Sequence, residues 1–474
     1  MTGREVQGGK TVAGENASVP MSYFRKVVAA SMAGTVAEWY EFFLYGMAAA
    51  LVFGQLFFHS TGNPLDGVIA ALLTYAVGFI ARPIGGLLFG HFGDKYGRKK
   101  LLQVSLLMIG ASTFLIGAIP SFDQIGYLAP IALVVLRFIQ GIAVGGEWGG
   151  AVLLVAEQSP ADKRGFWSSF PQLGAPFGNA LATIVMLGLS QIMSEEAFLS
   201  WGWRIAFFTS AIIVLVGWFI RRSVEDSPIF QNLEEDSHAE GLVDAIKRVF
   251  KARPREVLTA MGSRVVENIL YYIIVTFSLT YLKLELGLAT RTILTLMLAA
   301  HLTQSVAILT FGRLSDKWGR RPVYMAGAVL AGGYGFVAFP LMNTGQSALI
   351  LTALIVGLVI HATMYALQPS MLAEMFPTNM RYVGVSLGNQ VATVLAGSLA
   401  PVIATWLLRE YESWLPIAVY LTIASVISVI SVIFMRETKG KSLNAVDAEA
   451  GLVNGSIIRP GDDFLAESTT AHIK

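Results

Sequence analysis

Several ionisable side chains lie inside long apolar stretches of this sequence, where each is costly to bury. Glu38 and Glu41 lie three residues apart in the first stretch, and Arg137 and Glu147 lie in the fourth. A charge at the centre of a bilayer costs at least ~2.5–3.5 kcal/mol on insertion scales, so each needs a partner, a wet cavity or a task. We interpret the four residues as acids and bases that pair across a bundle interior. They are candidates for proton coupling, and the alternative is a buried ion pair that only joins two helices.

A polar and aromatic stripe marks the seventh apolar stretch. Arg264, Glu267, Asn268, Tyr271 and Tyr272 fall at i, i+3, i+4, i+7 and i+8, which is the spacing of one helical face. Lipid would penalise this face, so we expect it to line a central cavity. The Arg guanidinium would bind a substrate carboxylate through two parallel hydrogen bonds, with the amide and phenols orienting the rest. The alternative is that Arg264 and Glu267 pair only with each other.

Other polar residues within the apolar stretches are further candidates. Arg82 comes directly before Pro83, and it is expected either to bind a substrate anion or to snorkel or pair with Glu38. His301 and His361 could relay protons, although an isolated His is more often only hydrogen-bonded within a bundle. Periodicity alone assigns four more cavity residues to the second half of the chain: Gln304, Gln368, Asn389 and Gln390.

The overall composition indicates the medium in which these residues are positioned. Of 474 residues, 54% are hydrophobic and only 14% are charged, and the mean hydropathy is +0.60. Soluble proteins have about 25% charged residues, so we expect most of this surface to face lipid. The net charge of +2 argues against a nucleic-acid partner. The absence of Cys excludes disulfides, thiol chemistry and Cys-ligated metal centres.

Apolar stretches of roughly 20 residues, each long enough to cross a bilayer as a helix, follow one another along the chain. Their continuous apolarity, without strict alternation, favours helices over a β-barrel. We predict twelve membrane-spanning segments, numbered in chain order: 27–52, 66–89, 101–120, 128–154, 166–190, 203–220, 257–281, 291–311, 322–342, 347–371, 383–408 and 413–435. The predicted fold is an all-α integral membrane protein.

Lys and Arg are distributed unevenly between the two sides that these segments define. They cluster on the side that carries both termini, and the opposite side has little beyond Lys283, Arg291 and Arg409. The positive-inside rule therefore places both termini in the cytoplasm. We expect a multi-pass protein of the inner or plasma membrane.

Two sequence patterns occur once in each half of the chain. Residues 90–99 (GHFGDKYGRK) are echoed by residues 312–321 (GRLSDKWGRR), and residues 156–160 with Arg164 are echoed by residues 373–377 with Arg381. Each pattern follows the equivalent segment on the same side, which indicates a duplicated six-helix unit and two pseudo-symmetric bundles. The predicted organisation is a cytoplasmic tail, a first bundle, a cytoplasmic connection, a second bundle and a second cytoplasmic tail, over residues 1–26, 27–221, 222–254, 255–437 and 438–474.

With these paired patterns, the sequence resembles the major facilitator superfamily from about Val27 to Glu437. Four further motifs resemble its metabolite:proton symporters: EWYEF at 38–42, ARPIGG at 81–86, GGEWGG at 145–150 and EDSPIF at 225–230. Known members of that family carry ketoglutarate, citrate, shikimate and related organic acids, or proline and betaine.

The resemblance also implies roles for particular residues. In proton-coupled relatives, an acid of segment 1 faces the Arg of segment 4, and Glu41 occupies the matching position opposite Arg137. The paired patterns lie between the halves and bind basic residues and helix N-termini when the transporter is open to the outside. We expect them to act as gating loops through Gly90, Asp94, Gly97, Arg98, Gly312, Asp316, Gly319 and Arg320.

The sequence lacks a Gly-x-x-x-x-Gly-Lys-(Ser/Thr) phosphate loop and a His/Asp cluster with metal-ligand spacing. We therefore expect no enzyme, no cofactor, no metal and no ATP-driven pump. The favoured function is a monomeric, proton-coupled symporter that imports a small mono- or dicarboxylate by alternating access. A proton-coupled proline or betaine importer, a passive facilitator, and a sensor built on the same scaffold are the alternatives.

Overall fold

The computed structural model describes residues 21–58, 62–96, 98–145, 153, 155–212, 215, 242–453, 456 and 457. Within these residues, nine helices are long and apolar enough to cross a membrane. Two shorter apolar helices, Val104–Ala118 and Leu128–Val144, correspond to segments 3 and 4. The all-α prediction is confirmed. Part of segment 6 and the first 20 residues lie outside the described range.

In the described part of the chain, the predicted segments correspond to one or more consecutive helices each. Segments 1 to 6 are Met21–Ala48 with Ala49–Phe53 and Gly54–Leu56, Pro64–Tyr96, Arg98–Ala118, Leu128–Val144, Arg164–Gln172 with Gly174–Ile192, and Phe198–Gly202 with Trp203–Phe208. Segments 7 to 12 are Pro254–Tyr272 with Ile273–Phe277, Ser278–Thr280 and Tyr281–Glu285, then Thr290–Trp318, Arg320–Asn343, Ser347–Tyr365 with Gln368–Ala373, Thr378–Ala392 with Thr393–Gly397 and Ala400–Tyr411, and Leu415–Phe434. Short helices at Phe122–Ile125, Ala161–Lys163 and Glu195–Ala197 lie between segments.

Segments 2 and 8 are longer than the apolar pattern predicts. Segment 2 continues to Tyr96 and segment 8 to Trp318, so most of each paired pattern is helical rather than a loop. Hydropathy misses these turns because their side chains are polar. Between segments 8 and 9, the chain reverses at Gly319, whose φ of +107° is accessible to glycine but strained for other residues.

The connection and the tail that flank the second bundle also contain helices. Leu242–Ala252 lies in the connection predicted as a loop, and Leu443–Glu449 lies in the tail, followed by a two-residue antiparallel β-ladder in which Leu452 pairs with Ile457. The Asp447 carboxylate accepts hydrogen bonds from Thr378 N at 2.6 Å and Thr378 Oγ1 at 2.7 Å. The tail is therefore packed on the end of the bundle at which segment 11 begins. We name this the inner end, and the opposite one the outer end.

Glycines let segments 2 and 4 approach to backbone contact. A Cβ at Gly85 would lie 2.0 Å from Ile142 O, and one at Gly145 would lie 2.0 Å from Arg82 O. Small residues permit this close packing between membrane helices. The contact holds Arg82 of segment 2 in the same region as Arg137 of segment 4. Between the halves, segment 5 packs against segment 8, and segment 2 packs against segment 11.

Candidate functional site

A cleft in the first half contains most of the residues predicted to couple protons. Glu38, Glu41, Arg82, Arg137 and Gln140 line it, with an empty volume of about 250 Å³. That volume includes space open to the solvent, and the enclosed part holds about one water molecule, so a metabolite would need the cleft to widen. Glu147, the remaining proton-coupling candidate, lies outside the described residues.

Aromatic rings and an amide surround the Arg137 guanidinium. Its Cζ lies 4.3 Å from the ring centroid of Tyr45 and 5.1 Å from that of Phe42, and its Nη1 donates a hydrogen bond to Gln140 Oε1. A Cβ at residue 78 would lie 2.5 Å from Arg137 Nε, so Gly78 leaves the space that this side chain fills. Cation–π contacts of this kind stabilise a desolvated guanidinium.

The expected Glu41–Arg137 ion pair is not formed among the described residues. Glu41 is 2% exposed, and neither of its carboxylate oxygens has a hydrogen-bond partner in this part of the chain. The Thr113 hydroxyl lies beside this carboxylate without the geometry of a hydrogen bond, and it accepts a 2.7 Å bond from Gln140 Nε2. Gln140 and Thr113 therefore stand between the acid and the Arg. Gln140 follows Arg137 by one helical turn, a spacing that could have identified it from sequence.

Arg82 lies between two phenyl rings and faces the cleft. Its Cζ is 4.6 Å from the centroid of Phe79 and 5.0 Å from that of Phe42. Within the described residues, its guanidinium makes no hydrogen bond or ion pair with another protein group. Glu38 lines the same cleft, and its carboxylate interacts electrostatically with Arg82. The Arg82 guanidinium therefore forms part of the wall of the cleft.

The aromatic members of the segment 7 stripe cross the interface between the halves. The Tyr272 ring centroid lies 5.7 Å from that of Phe79, and the Tyr271 centroid lies 5.8 Å from that of Phe43. Both tyrosines are buried. Their rings separate the cleft of the first half from the polar residues of the second half.

The polar members of the same stripe bind one another rather than a cavity. Arg264 Nη2 lies 3.5 Å from Glu267 Oε2, and Arg264 Nη1 donates to Gln368. Glu267 also accepts hydrogen bonds from His361 Nε2 at 2.9 Å and from Asn268 Nδ2 at 3.1 Å. Arg264 and Glu267 therefore pair with each other, which is the alternative that the sequence left open. Burial favours it because each charge needs a partner in low dielectric.

The two histidines belong to this buried network and are not isolated. Gln304 Nε2 donates to His361 Nδ1 at 3.0 Å, and His301 Nδ1 donates to Gln304 Oε1 at 3.0 Å. Asn389 and Gln390 of segment 11 lie outside the network, and the side-chain oxygen of Gln390 has no hydrogen-bond partner in the described chain.

At the inner end, the second paired pattern binds the first half. The Asp316 carboxylate accepts hydrogen bonds from the backbone N–H groups of Gly165 and Phe166, both at 2.8 Å, at the N-terminus of segment 5. Arg320 Nη1 lies 2.6 Å from Asp316 Oδ1. A Cβ at Gly312 would lie 2.6 Å from Ser169 Oγ, so this glycine permits the close approach of the halves.

At the inner end, two ion pairs join the halves, and in each an Arg of one half binds a Glu of the other half. Arg164 Nη1 lies 2.8 Å from Glu374 Oε1, and Arg381 Nη1 lies 3.0 Å from Glu157 Oε1. These four residues are the equivalent positions of the second repeated pattern. Within the second half, Arg320 also binds Glu374, with 3.2 Å between its Nη2 and Glu374 Oε1. The internal repeat thus encodes a reciprocal clamp.

The first paired pattern is less fully described. Gly90 and Asp94 lie in the helix of segment 2 and Arg98 begins that of segment 3, with their side chains outside the described part. Gly97 lies outside the described residues altogether.

Ion pairs that the sequence did not predict join the halves at the outer end. Arg409 Nε lies 2.8 Å from Asp66 Oδ1, and Lys283 Nζ donates a hydrogen bond to Glu195. This hydrogen bond lowers the pKa of Glu195 below the usual value. The sequence did contain a signal for these ion pairs, because Lys283 and Arg409 are among the few basic residues on that side.

Curated relatives cover nearly the whole chain. The shikimate transporter of Escherichia coli K12 is 37% identical over 429 residues, covering 90% of this chain and 97% of its own. The inner membrane metabolite transport protein YhjE of the same organism is 36% identical, with 90% and 98% covered. The proline/betaine transporter of that strain is also 36% identical, with 90% and 86% covered.

Two helical halves joined by ion pairs at both ends of their interface, with a charged cleft in the first half, define a multi-pass membrane transporter. Residues 26–243 match the family model described as "Sugar (and other) transporter", and residues 257–465 match that of the major facilitator superfamily. The chain belongs to the major facilitator superfamily, and it is a transporter rather than an enzyme.

Solved structures support the same fold. The proton:xylose symporter XylE bound to 6-bromo-6-deoxy-D-glucose has a TM-score of 0.67 at 20% identity, with 91% of this chain and 100% of that chain covered. XylE from E. coli in a partially occluded inward open conformation gives 0.67 at 19% identity, with 89% and 100% covered.

Proposed function

We propose that this protein is a proton-coupled symporter that imports a small organic acid. The observation that carries the substrate class is Arg82, whose guanidinium lines the cleft and has no protein acceptor among the described residues. A planar guanidinium matches a carboxylate through two parallel hydrogen bonds. Arg82 is a better candidate for binding the substrate carboxylate than Arg264, because Arg264 already binds Glu267 and Gln368.

The aromatic rings around the cleft favour an acid over a betaine. A quaternary ammonium is recognised by open aromatic faces. Here Arg82 lies over Phe42 and Phe79, and Arg137 lies over Tyr45. Two guanidiniums therefore already occupy these faces, and they repel the quaternary ammonium of a betaine while attracting a carboxylate.

Glu41 is the proposed proton carrier. A buried carboxylate without a partner is strongly disfavoured, whereas a protonated carboxylic acid is tolerated. The unpaired burial of Glu41 therefore fits its protonated state. Deprotonation would be favoured if Arg137 left its aromatic surroundings and approached the carboxylate. Gln140 and Thr113 lie between the two groups and would have to move.

Alternating access would use the ion pairs at the two ends of the interface as gates. Both sets are formed in this structure, which fits an occluded state. We place the halves at residues 27–221 and 255–437, both termini in the cytoplasm, and a single chain as the transport unit in the inner or plasma membrane.

The experiment is an uptake panel in proteoliposomes with an inside-alkaline pH gradient, using shikimate, proline and glycine betaine. These compounds represent the two substrate classes named for the relatives above. The proposal expects gradient-dependent uptake of the acid and little uptake of the others. Uptake restricted to proline or betaine would replace it with the osmolyte alternative.

A further inference from the structure

The Gln304 amide joins two buried histidines in a chain of hydrogen bonds across segments 7, 8 and 10. His301 Nδ1–H donates to Gln304 Oε1 at 3.0 Å, and Gln304 Nε2–H donates to His361 Nδ1 at 3.0 Å. His361 Nε2–H then donates to Glu267 Oε1 at 2.9 Å. The four side chains are buried. Each neighbour therefore restricts which nitrogen of the next ring can carry a proton.

These directions define the protonation state of His361. A ring nitrogen that accepts a hydrogen bond carries no proton, so His361 is neutral, with its proton on Nε2. A proton on Nδ1 would face the amide N–H of Gln304, and two donors cannot bond each other. Protonation of His361 consequently requires Gln304 to turn its amide by half a rotation and present its oxygen.

The same rotation determines the tautomer of His301. After the turn, Gln304 Nε2–H points at His301 Nδ1, which must then be an acceptor. His301 therefore releases its proton from Nδ1 to water and takes one from water on Nε2, with no net change of charge. His361 takes one proton from water on Nδ1 and becomes a cation. The Gln304 amide thus links a charge change on segment 10 to a tautomer change on segment 8.

We propose that His361 is a second proton-binding site, located in the second half and controlled by the orientation of the Gln304 amide. Arg264 and Glu267 cancel each other in charge, so a proton on His361 gives the buried network a net charge of +1. The titratable and charged groups of this network come from segments 7 to 10: Arg264, Glu267, Tyr271, His301, Tyr324 and Tyr365.

This extra charge lies next to the interface that an anion would enter. The Tyr271 ring stacks on His361 with 4.4 Å between centroids, and it also contacts Phe43 of the first half at 5.8 Å. A cation behind this ring would strengthen the binding of a carboxylate in the cleft, and by linkage the bound anion would favour the proton. This consequence rests on the proposed substrate class, whereas the proton site itself does not.

Histidine ¹⁵N NMR on the purified full-length protein in lipid bilayers tests the proton site without a substrate, with the proton itself as the probe. The chain has six histidines, and His361→Gln and His301→Gln assign the two signals by subtraction. When the sample is acidified, His361 should change from the Nε2–H tautomer to the doubly protonated ring. His301 should change from Nδ1–H to Nε2–H in the same step. A His361 ring that stays neutral, or two changes at separate pH values, overturns the proposal.

Gln304→Glu gives a second measurement in case the histidine variants do not fold. A carboxylate accepts from both rings, so the doubly protonated form of His361 should persist to a higher pH in this variant than in wild type. Gln390→Glu places the same charge in the same half outside the chain, and it should leave the His361 signal unchanged. An unshifted titration in Gln304→Glu, or an equal shift in both variants, contradicts the proposal. Failure of the substrate assignment would instead appear in the uptake panel and leave these spectra as expected.

Discussion

Arg164 and Glu374 belong to different halves of the chain, yet they form an ion pair with 2.8 Å between Nη1 and Oε1 and with side-chain exposures of 4% and 0%. The equivalent pair, Arg381 with Glu157, joins the halves in the reciprocal direction. Both pairs must break before the inner end can open. They therefore stabilise the state in which that end is closed.

Glu374→Gln should shift the protein toward the inward-open state. Glu374 also binds Arg320, so the change removes the carboxylate partner of Arg164 and one of the two carboxylate partners of Arg320. A lost charge-assisted hydrogen bond of about 1.5–3 kcal/mol corresponds to a 10- to 150-fold change in the state ratio. Alkylation of Ser169→Cys, a buried position at the inner interface of a chain without native Cys, measures the opening. The exposed Glu412→Gln is the matched control, and equal labelling rates in both variants would refute the clamp.

The outer end should open only at strongly acidic pH. The pKa of Glu195 is lowered by the hydrogen bond from Lys283, so this contact stabilises the closed outer end above the usual Glu pKa of about 4.3 and is lost as pH falls below it. The Ala50 carbonyl accepts a hydrogen bond from Thr280 across the interface. The labelling rate of Ala50→Cys, divided at each pH by that of the exposed Glu412→Cys to remove the pH dependence of thiol reactivity, should stay constant from about pH 7 to pH 5. Glu195→Gln should raise the labelling throughout that range. A wild-type rise near neutral pH would contradict this assignment.

Arg264→Gln should destabilise the protein rather than only weaken substrate binding. Removal of one partner from a buried ion pair costs about 3–5 kcal/mol, because the other charge is left uncompensated. Glu267 would be that charge, and Arg264→Gln combined with Glu267→Gln should recover part of the loss. Thermal unfolding in detergent measures both. If Arg264→Gln unfolds at the wild-type temperature and binds substrate weakly, Arg264 is a substrate ligand after all.

Arg82→Lys should weaken binding of the acid while leaving stability unchanged. Lys keeps the charge but lacks the planar pair of donors, so a loss of about 1.5–3 kcal/mol, or 10- to 150-fold in affinity, is expected. A binding titration with the acid and its neutral amide separates charge recognition from other contacts. Equal affinities of wild type and Arg82→Lys for the acid would remove Arg82 from the site.

The segment pattern and the internal repeat could be predicted from sequence because apolar length and recurring motifs are local signals. Which buried side chains would pair with one another could not be predicted, because this depends on packing between distant segments. Glu41 and Arg137 are both buried as expected, yet the Arg137 guanidinium donates its hydrogen bond to Gln140 and not to Glu41. The helical spacing that grouped Arg264 with Glu267 was correct about their shared face but could not show that His361 would complete the network.

Proton-driven accumulation in the Glu41→Gln variant tests the central claim of coupled acid import most directly. Proteoliposomes receive an inside-alkaline pH gradient and the labelled acid that gives the highest uptake in the panel, and Glu38→Gln is the matched control on the same helical face. The account predicts that wild type accumulates the acid above equilibrium, whereas Glu41→Gln only equilibrates it and retains counterflow exchange. Accumulation by Glu41→Gln at the wild-type level, or no effect of the gradient on wild type, would contradict it.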